Sequence, residues 1–297
     1  MPFTLSHAAA VLPAIRRDGT ARGPLIPSAL VAGSFAPDMT YYADTAVPGA
    51  MEFGDVTHSL TGVLTVDVLV TAALVGGWLL LREPALALLP RAWRERTHTL
   101  LRGRPRRPRG PRELAALAGW FLVSAVLGAA THVVWDAFTH PGRWGTRLVP
   151  GLNDIVGGLP VATYVQYGTS ALALVAMGWF GWSALRGAGG PAGAVAAAPD
   201  PGAVPSLTVG LRLLLTAPIA LCVVLGAAHR TLRAHAVYDD AVSWPNYIPT
   251  VLFGAGAGLV VGLALYAVAV RLLQRRARRA RPTGGEGVSG RSVQVRG

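Results

Sequence analysis

The sequence has no lysine, only one cysteine and few charges of either sign. Charged residues make up 14% of the 297-residue chain and hydrophobic ones 52%, where a soluble domain carries about 25% charged residues. Mean hydropathy is +0.43. This balance excludes an ordinary soluble domain and reads as a membrane protein. The lone Cys222 can form no internal disulfide, and within an apolar run it reads as an inert buried thiol. The opening MPFTLSHAAAVLPAI lacks a basic stretch ahead of its short apolar one, so no standard signal peptide is read there. There is no internal repeat and no Gly-rich nucleotide loop between a strand and a helix. No cofactor other than a metal is signalled.

What is present is arginine. The net charge of +12 comes from 27 basic residues, all arginine. They gather between apolar runs and after the last one, which marks cytoplasmic loops better than a nucleic-acid face. Nucleic acid is therefore not expected as a partner, and membrane lipids are.

The apolar runs define the fold class: an all-α, polytopic helical membrane protein with about five transmembrane helices and two short N-terminal ones. The spans are expected near Leu60–Leu81, Leu114–Val134, Gly168–Leu185, Leu207–Ala228 and Pro249–Val270. Phe3–Ile15 and Pro24–Ala36 are too short to cross a bilayer, which needs about 20 residues, and read as short packed or re-entrant helices. Thr57 is a candidate cap for the first span, with His58 on its first turn. Residues 39–56, 141–167 and 229–248 read as loops; His229 and His235 in the last read as interfacial. Residues 82–112 carry ten arginines against Glu83 and Glu95 and read as a Pro-rich loop with little fixed structure, in which His98 is solvated. Gly254, Gly258 and Gly262 recur every four residues and should permit close helix packing. This divides the chain into a metal-site membrane domain (1–186), a flexible linker (187–206), a helical hairpin (207–272) and a disordered basic tail (273–297). With the 82–112 loop and the tail both cytoplasmic, the four intervening spans put His7, Asp38, His58 and the 132–140 stretch at the extracytoplasmic end.

That stretch, Thr131-His132-Val133-Val134-Trp135-Asp136-Ala137-Phe138-Thr139-His140-Pro141-Gly142, organises the reading. On a helix, positions i, i+4 and i+8 share one face. His132, Asp136 and His140 would point the same way, with Pro141-Gly142 ending the helix. Ionisable groups at the end of an apolar helix are costly without partners. Asp38, His58, His132 and Asp136 are the expected ligands of a divalent metal, zinc by donor type. His7 and His140 are candidates for a second ion or for supporting hydrogen bonds. Asp67, inside the first span, is either a group hydrogen-bonded to a neighbouring helix or part of a proton or ion path.

The segments MPFTLSHAAAVLP, AGSFAPD, THSLTGVL, LGAATHVVWDAFTHPGRWG and VQYGTSALAL, running in order from Met1 to about Leu174, resemble the bacterial membrane family called domain of unknown function 4184. That family carries no established activity. More distantly, the order of an N-terminal His, Pro-Asp, Thr-His-Ser and His-x-x-x-Asp is similar to predicted membrane-bound metal-dependent hydrolases, and these resemble zinc-dependent phospholipase C and related nucleases. The resemblance implies one zinc held by Asp38, His58, His132 and Asp136, with His140 matching a later helix-borne His at a different spacing. The further His-x-x-x-Glu of the soluble enzymes is absent, which favours one or two ions over three.

These readings lead to two functions. The first is a metal-dependent hydrolase of the bacterial cytoplasmic membrane, acting at the extracytoplasmic face on a phosphoester or other lipid-like substrate, with Asp38 or Asp136 orienting water. Arg143 or Arg147 would meet a phosphate or anchor to lipid headgroups. The second is a non-catalytic scaffold or transport-related protein with a structural His/Asp cluster. The substrate and the oligomeric state are not encoded in any motif.

Overall fold

The structure, a computed structural model, describes residues 3–102, 108–187, 207–237 and 244–279. Most of the 187–206 linker, the middle of the RGRPRRPRGPR run and the chain after Arg279 lie outside the described residues.

Among the described residues the structure is helical apart from one small hairpin and an isolated bridge between Ile15 and Ala21. The N-terminal third is a chain of short pieces: a 3-10 helix Thr4–Ala14, α1 (Pro27–Gly33), a 3-10 turn Ala36–Asp38, α2 (Met39–Ala43), a 3-10 turn Ala50–Phe53, α3 (Gly54–Thr57) and α4 (Leu60–Leu64). Longer helices follow: α5 (Val66–Leu86), α6 (Arg91–Arg102), α7 (Pro111–Thr139), then short α8 (Trp144–Leu148), α9 (Val161–Gly187), α10 (Val209–Val237) and α11 (Trp244–Arg279). The hairpin pairs β1 (Ile155–Val156) with β2 (Leu159–Pro160), antiparallel. Gly157 and Gly158 make its two-residue turn at φ 57° and 85°, a tight connection that requires glycine.

Four described helices are long and apolar enough to cross a membrane: Pro111–Thr139, Val161–Gly187, Val209–Val237 and Tyr247–Arg276. The expected span 60–81 is instead the α4–α5 pair, interrupted at Thr65, whose φ −128° and ψ −80° are not helical. Ser59, not Thr57, caps α4: its side chain accepts from the Gly62 N–H. Thr57 ends α3, and its hydroxyl donates to Pro37 O at 2.7 Å.

Several expected loops contain helix. Residues 91–102 form α6, on which the expected solvated His98 is 2% exposed. The physical reason is amphipathicity: the face that carries His98 packs on α5 and α9, with the Trp93 ring against Trp182 of α9. The 229–248 loop shrinks because α10 continues to Val237, carrying His229 and His235, and α11 starts at Trp244. At its other end α11 continues past Val270 to Arg279.

Close glycine contacts set the packing. A Cβ on Gly128 would lie 2.3 Å from Leu30 O, and one on Gly33 2.5 Å from Ala125 O, so α1 lies backbone to backbone on α7. The hairpin α10–α11 is joined alike. A Cβ on Gly258 would lie 2.0 Å from Cys222 O and one on Gly226 2.3 Å from Gly254 O. The hairpin is clasped to the N-terminal pieces: Arg230 donates to Tyr41 O at 2.6 Å and Thr45 Oγ1 at 3.0 Å, and Arg233 pairs with Asp44. The molecule therefore has two ends. Arg82, α6, the start of α7 and the end of α11 share one, where Tyr266 donates to Pro84 O at 2.9 Å and Arg271 reaches Leu80 O. The last turns of α7 and the short N-terminal pieces share the other.

Candidate metal centre

The close approach of α1 to α7 places the Ser34 carbonyl beside His132, whose Nδ1 lies 2.7 Å from it. A carbonyl only accepts, so Nδ1 carries the proton. His58 is fixed the same way: it follows α3, and its Nδ1 donates to Gly54 O at 2.8 Å. Gly62 keeps that turn tight, since a Cβ there would lie 1.9 Å from Val56 O. The Thr57 hydroxyl bond to Pro37 O ties this turn to the 3-10 turn that carries Asp38. Asp136 follows His132 by one helical turn.

With both Nδ1 atoms bonded to carbonyls, both Nε2 atoms turn to one point, and so do the two carboxylates. Asp38, His58, His132 and Asp136 each offer an atom within 4.8 Å of the others, and all four residues are buried. His132 Nε2 lies 3.4 Å from Asp38 Oδ1 and 3.4 Å from Asp136 Oδ2; His58 Nε2 lies 3.8 and 3.6 Å from the same two oxygens. A charge-assisted N–H···O bond would be about 2.7–2.9 Å. Ligands held tetrahedrally at about 2.0–2.1 Å from zinc lie about 3.3–3.4 Å from one another. Here the shorter separations match a ligand shell and all four exceed that hydrogen-bond range. His132 Nε2 is buried and has no hydrogen-bond partner among the described residues. Fixing the far imidazole nitrogen on a backbone carbonyl is how proteins orient metal-binding histidines. The donor set fits a divalent transition ion, and the four-residue group can hold a metal.

Supporting groups surround it. Thr4 and His7 are three residues apart on a 3-10 helix, whose side chains at i and i+3 eclipse. Both therefore face the cluster. Thr4 Oγ1 donates to Asp38 Oδ2 at 2.5 Å, leaving Oδ1 for the shared point. The buried ring of His7 stacks on His132 at 3.5 Å, and its Nε2 is 3.4 Å from Asp136 Oδ1, the oxygen turned away from His58 and His132. Burial, then the charge of His132, holds the His7 imidazole well below its usual range. Burial raises the Asp38 carboxyl most, but the neighbouring His132, through its charge and its direct approach together, holds the group well below the usual carboxylate range. Tyr41, its ring 5.8 Å from that of His58, is pushed up to about 12 by burial and by Asp38.

His140 does not continue the helical face. It is the C-cap of α7, in extended conformation, and its Nδ1 lies 3.2 Å from Asp136 O while Gln166 from α9 reaches its Nε2 at 2.9 Å. Its Nδ1 is 3.6 Å from Asp136 Oδ2, so it flanks the four-residue group without joining it. Burial lowers His140 to about 4. Sequence reasoning missed Thr4, Gln166 and the two carbonyls. The His-x-x-x-Asp spacing signals the candidate ligands, but backbone acceptors carry no sequence mark. Only the three-residue offset of Thr4 from His7 was visible, and it acquires meaning once that segment is known to be a 3-10 helix.

A helical protein with membrane-length apolar helices and a buried His/Asp cluster is the class that fold and site define. The chain belongs to the family described as a domain of unknown function (DUF4184), whose sequence profile matches residues 1–268. The match therefore runs through the α10–α11 hairpin as well as the site. No curated protein and no solved structure matches the chain.

Proposed function

We propose that this protein is a membrane-embedded, metal-dependent hydrolase. Its Asp38, His58, His132 and Asp136 would hold one divalent ion, zinc by donor type, and it would act on a phosphoester or other lipid-like substrate at the extracytoplasmic surface. The observation that carries the proposal is the pair of Nδ1–H bonds to Ser34 O and Gly54 O, which aim two imidazole lone pairs and two carboxylate oxygens at one point. When bound, such an ion supplies Lewis acidity and a water of lowered pKa. The protein's own groups divide the remaining work. Asp38 is tied by Thr4 and serves as a fixed ligand. Asp136 keeps Oδ1 toward His7, so it is the carboxylate placed to take and release a proton there. The half-exposed flank lies at His140, whose side chain is 33% exposed against 7% for Asp136. Arg143, three residues on, brings a cation to that flank.

A second reading is favoured by the burial itself. His58 is 9% exposed and the other three ligands 5% or less, and four protein ligands in a closed shell are the mark of a structural site. The shallow apolar cavity of about 400 Å³ between α7 and α9, lined by Thr131, Val134, Trp135, Phe138 and Val165, does not reach the ligands. The two readings separate on activity: zinc-loaded protein in detergent should cleave a phosphodiester, and Asp136→Asn should abolish cleavage. A fully loaded protein that cleaves no phosphodiester leaves the structural role.

A further inference from the structure

Helix α7 uses two faces near its end. The inward one carries His132 and Asp136 into the metal centre. The outer one, with Thr131, Val134, Trp135, Phe138 and Thr139, forms the apolar cavity of about 400 Å³ together with Val165 of α9. That volume is in the range of small-molecule sites. Both helices are long and apolar enough to cross a membrane, so in a bilayer the open side of the cavity meets lipid. The two hydroxyls in the lining are spent on their own helix, Thr131 on Gly128 O at 2.7 Å and Thr139 on Trp135 O at 3.2 Å. The Trp135 N–H donates to Thr169 Oγ1 at 3.3 Å. An occupant therefore finds only apolar contact. Helices that pack on one another in a membrane meet through small residues, as α1 and α7 do at Gly33 and Gly128. Here the walls are Val, Trp and Phe side chains, which fit a hydrocarbon chain rather than a second helix.

One end of the cavity leads to charge. Thr139 is followed by His140, whose Nε2 is met by Gln166, the neighbour of Val165. His140 Nδ1 lies 3.4 Å from Thr139 Oγ1 and 3.6 Å from Asp136 Oδ2. The half-exposed imidazole thus stands between the cavity and the carboxylate. Arg143 lies within electrostatic reach of Tyr41, whose ring is 5.8 Å from that of His58. Its guanidinium has no hydrogen-bond or ion-pair partner among the described residues. An unpaired guanidinium beside the polar end of an apolar cavity is complementary to a phosphate carried on a hydrocarbon chain.

We propose that the cavity between α7 and α9 holds one acyl chain of a glycerophospholipid, with its phosphate at Arg143 beside His140. This names the substrate class of the proposed hydrolase and rests on that reading for cleavage, but not for binding. The test is photo-crosslinking of the full chain in maltoside detergent, using phosphatidylglycerol with a diazirine in its acyl chain and mapping the labelled peptides. Label should concentrate on residues 131–139 and on Val165. Val134→Trp fills the cavity from a position already 49% exposed. It should lower label there about tenfold, the worth of roughly two buried methylene groups, and leave label on α10 and α11 unchanged. Arg143→Gln should lower label from phosphatidylglycerol about threefold and leave label from the matching diacylglycerol, which has no phosphate, unchanged. Label spread evenly over α7, α9, α10 and α11 of the wild type, or cavity label that Val134→Trp leaves intact, would overturn the lipid site. A crosslink between two copies through these residues in place of lipid would overturn it too and assign the face to a dimer. Cavity label on a zinc-loaded protein that cleaves no phosphodiester would keep the lipid site and remove the hydrolase. Cleavage of a water-soluble phosphodiester without cavity label would do the reverse.

Discussion

Helices α1 and α7 meet through Gly33 and Gly128, and helices α10 and α11 meet through Gly226, Gly254 and Gly258. The two interfaces use the same device, small residues that let backbones touch. Yet one leads into a group of four residues that could hold a metal and the other into a patch of Ile219, Tyr266 and Val270. The difference lies in what the contact delivers. At α1–α7 the close approach brings a free helix-end carbonyl, that of Ser34, against an imidazole. At α10–α11 it brings mid-helix backbone already bonded within its own helix. Glycine packing recurs at both interfaces, and at α1–α7 it coincides with a helix end that orients a candidate ligand.

The largest effect that sharpens this contrast should come from the clasp joining the two regions. Arg230→Met removes the donor to Tyr41 O and Thr45 and leaves Asp44, itself 2% exposed, with less countercharge. Breaking a buried pair this way should cost about 3 kcal/mol of stability, measured by denaturation in detergent, while metal content per folded molecule holds.

Next come the glycines. Gly128→Ala and Gly258→Ala should each destabilise by about 2 kcal/mol through overpacking. Gly128→Ala should also weaken metal binding, because it displaces Ser34 O from His132; Gly258→Ala should not. Competition with a chromophoric chelator reads this directly, and equal affinities in the two variants would erase the distinction drawn between the interfaces.

A smaller effect is expected at Thr4. Thr4→Val frees Asp38 Oδ2, and losing such a supporting bond should lower metal affinity about tenfold with little change in folding. A separate effect is the pH dependence from His140. Its folded value of about 4 lies below the ordinary 6.5, so between these values the unfolded chain binds a proton that the folded chain refuses. Stability from this group is present above pH 6.5 and is lost as pH falls toward 4. Melting curves of His140→Gln should be flatter across that window than wild type.

The fold class was legible because an apolar run of 20 residues has few alternatives, and the His132–Asp136 half of the buried four-residue group because a His-x-x-x-Asp at a helix end is expensive without partners. The break at Thr65 was not legible: neither Gly nor Pro marks it, and it arises where the chain must turn inward after Ser59 to bury Val63 and Asp67. The helix at 91–102 was hidden by its arginines, which suggest a solvated loop until the opposite face finds α5 and α9. Spacing alone puts His140 on the helical face, whereas the helix ends one residue earlier and the ring turns to Gln166. The clasp of Arg230 on Tyr41 and of Arg233 on Asp44 joins residues 189 positions apart, and no local pattern announces it.

The central claim is that Asp38, His58, His132 and Asp136 hold a metal ion. Its most direct test is elemental mass spectrometry of the detergent-purified protein beside His58→Ala/His132→Ala. About one zinc or similar divalent ion per chain, absent from the double variant, is the expected result. A metal-free wild type after reconstitution, or equal metal in both proteins, would contradict the account and leave the cluster a network of hydrogen bonds and charges.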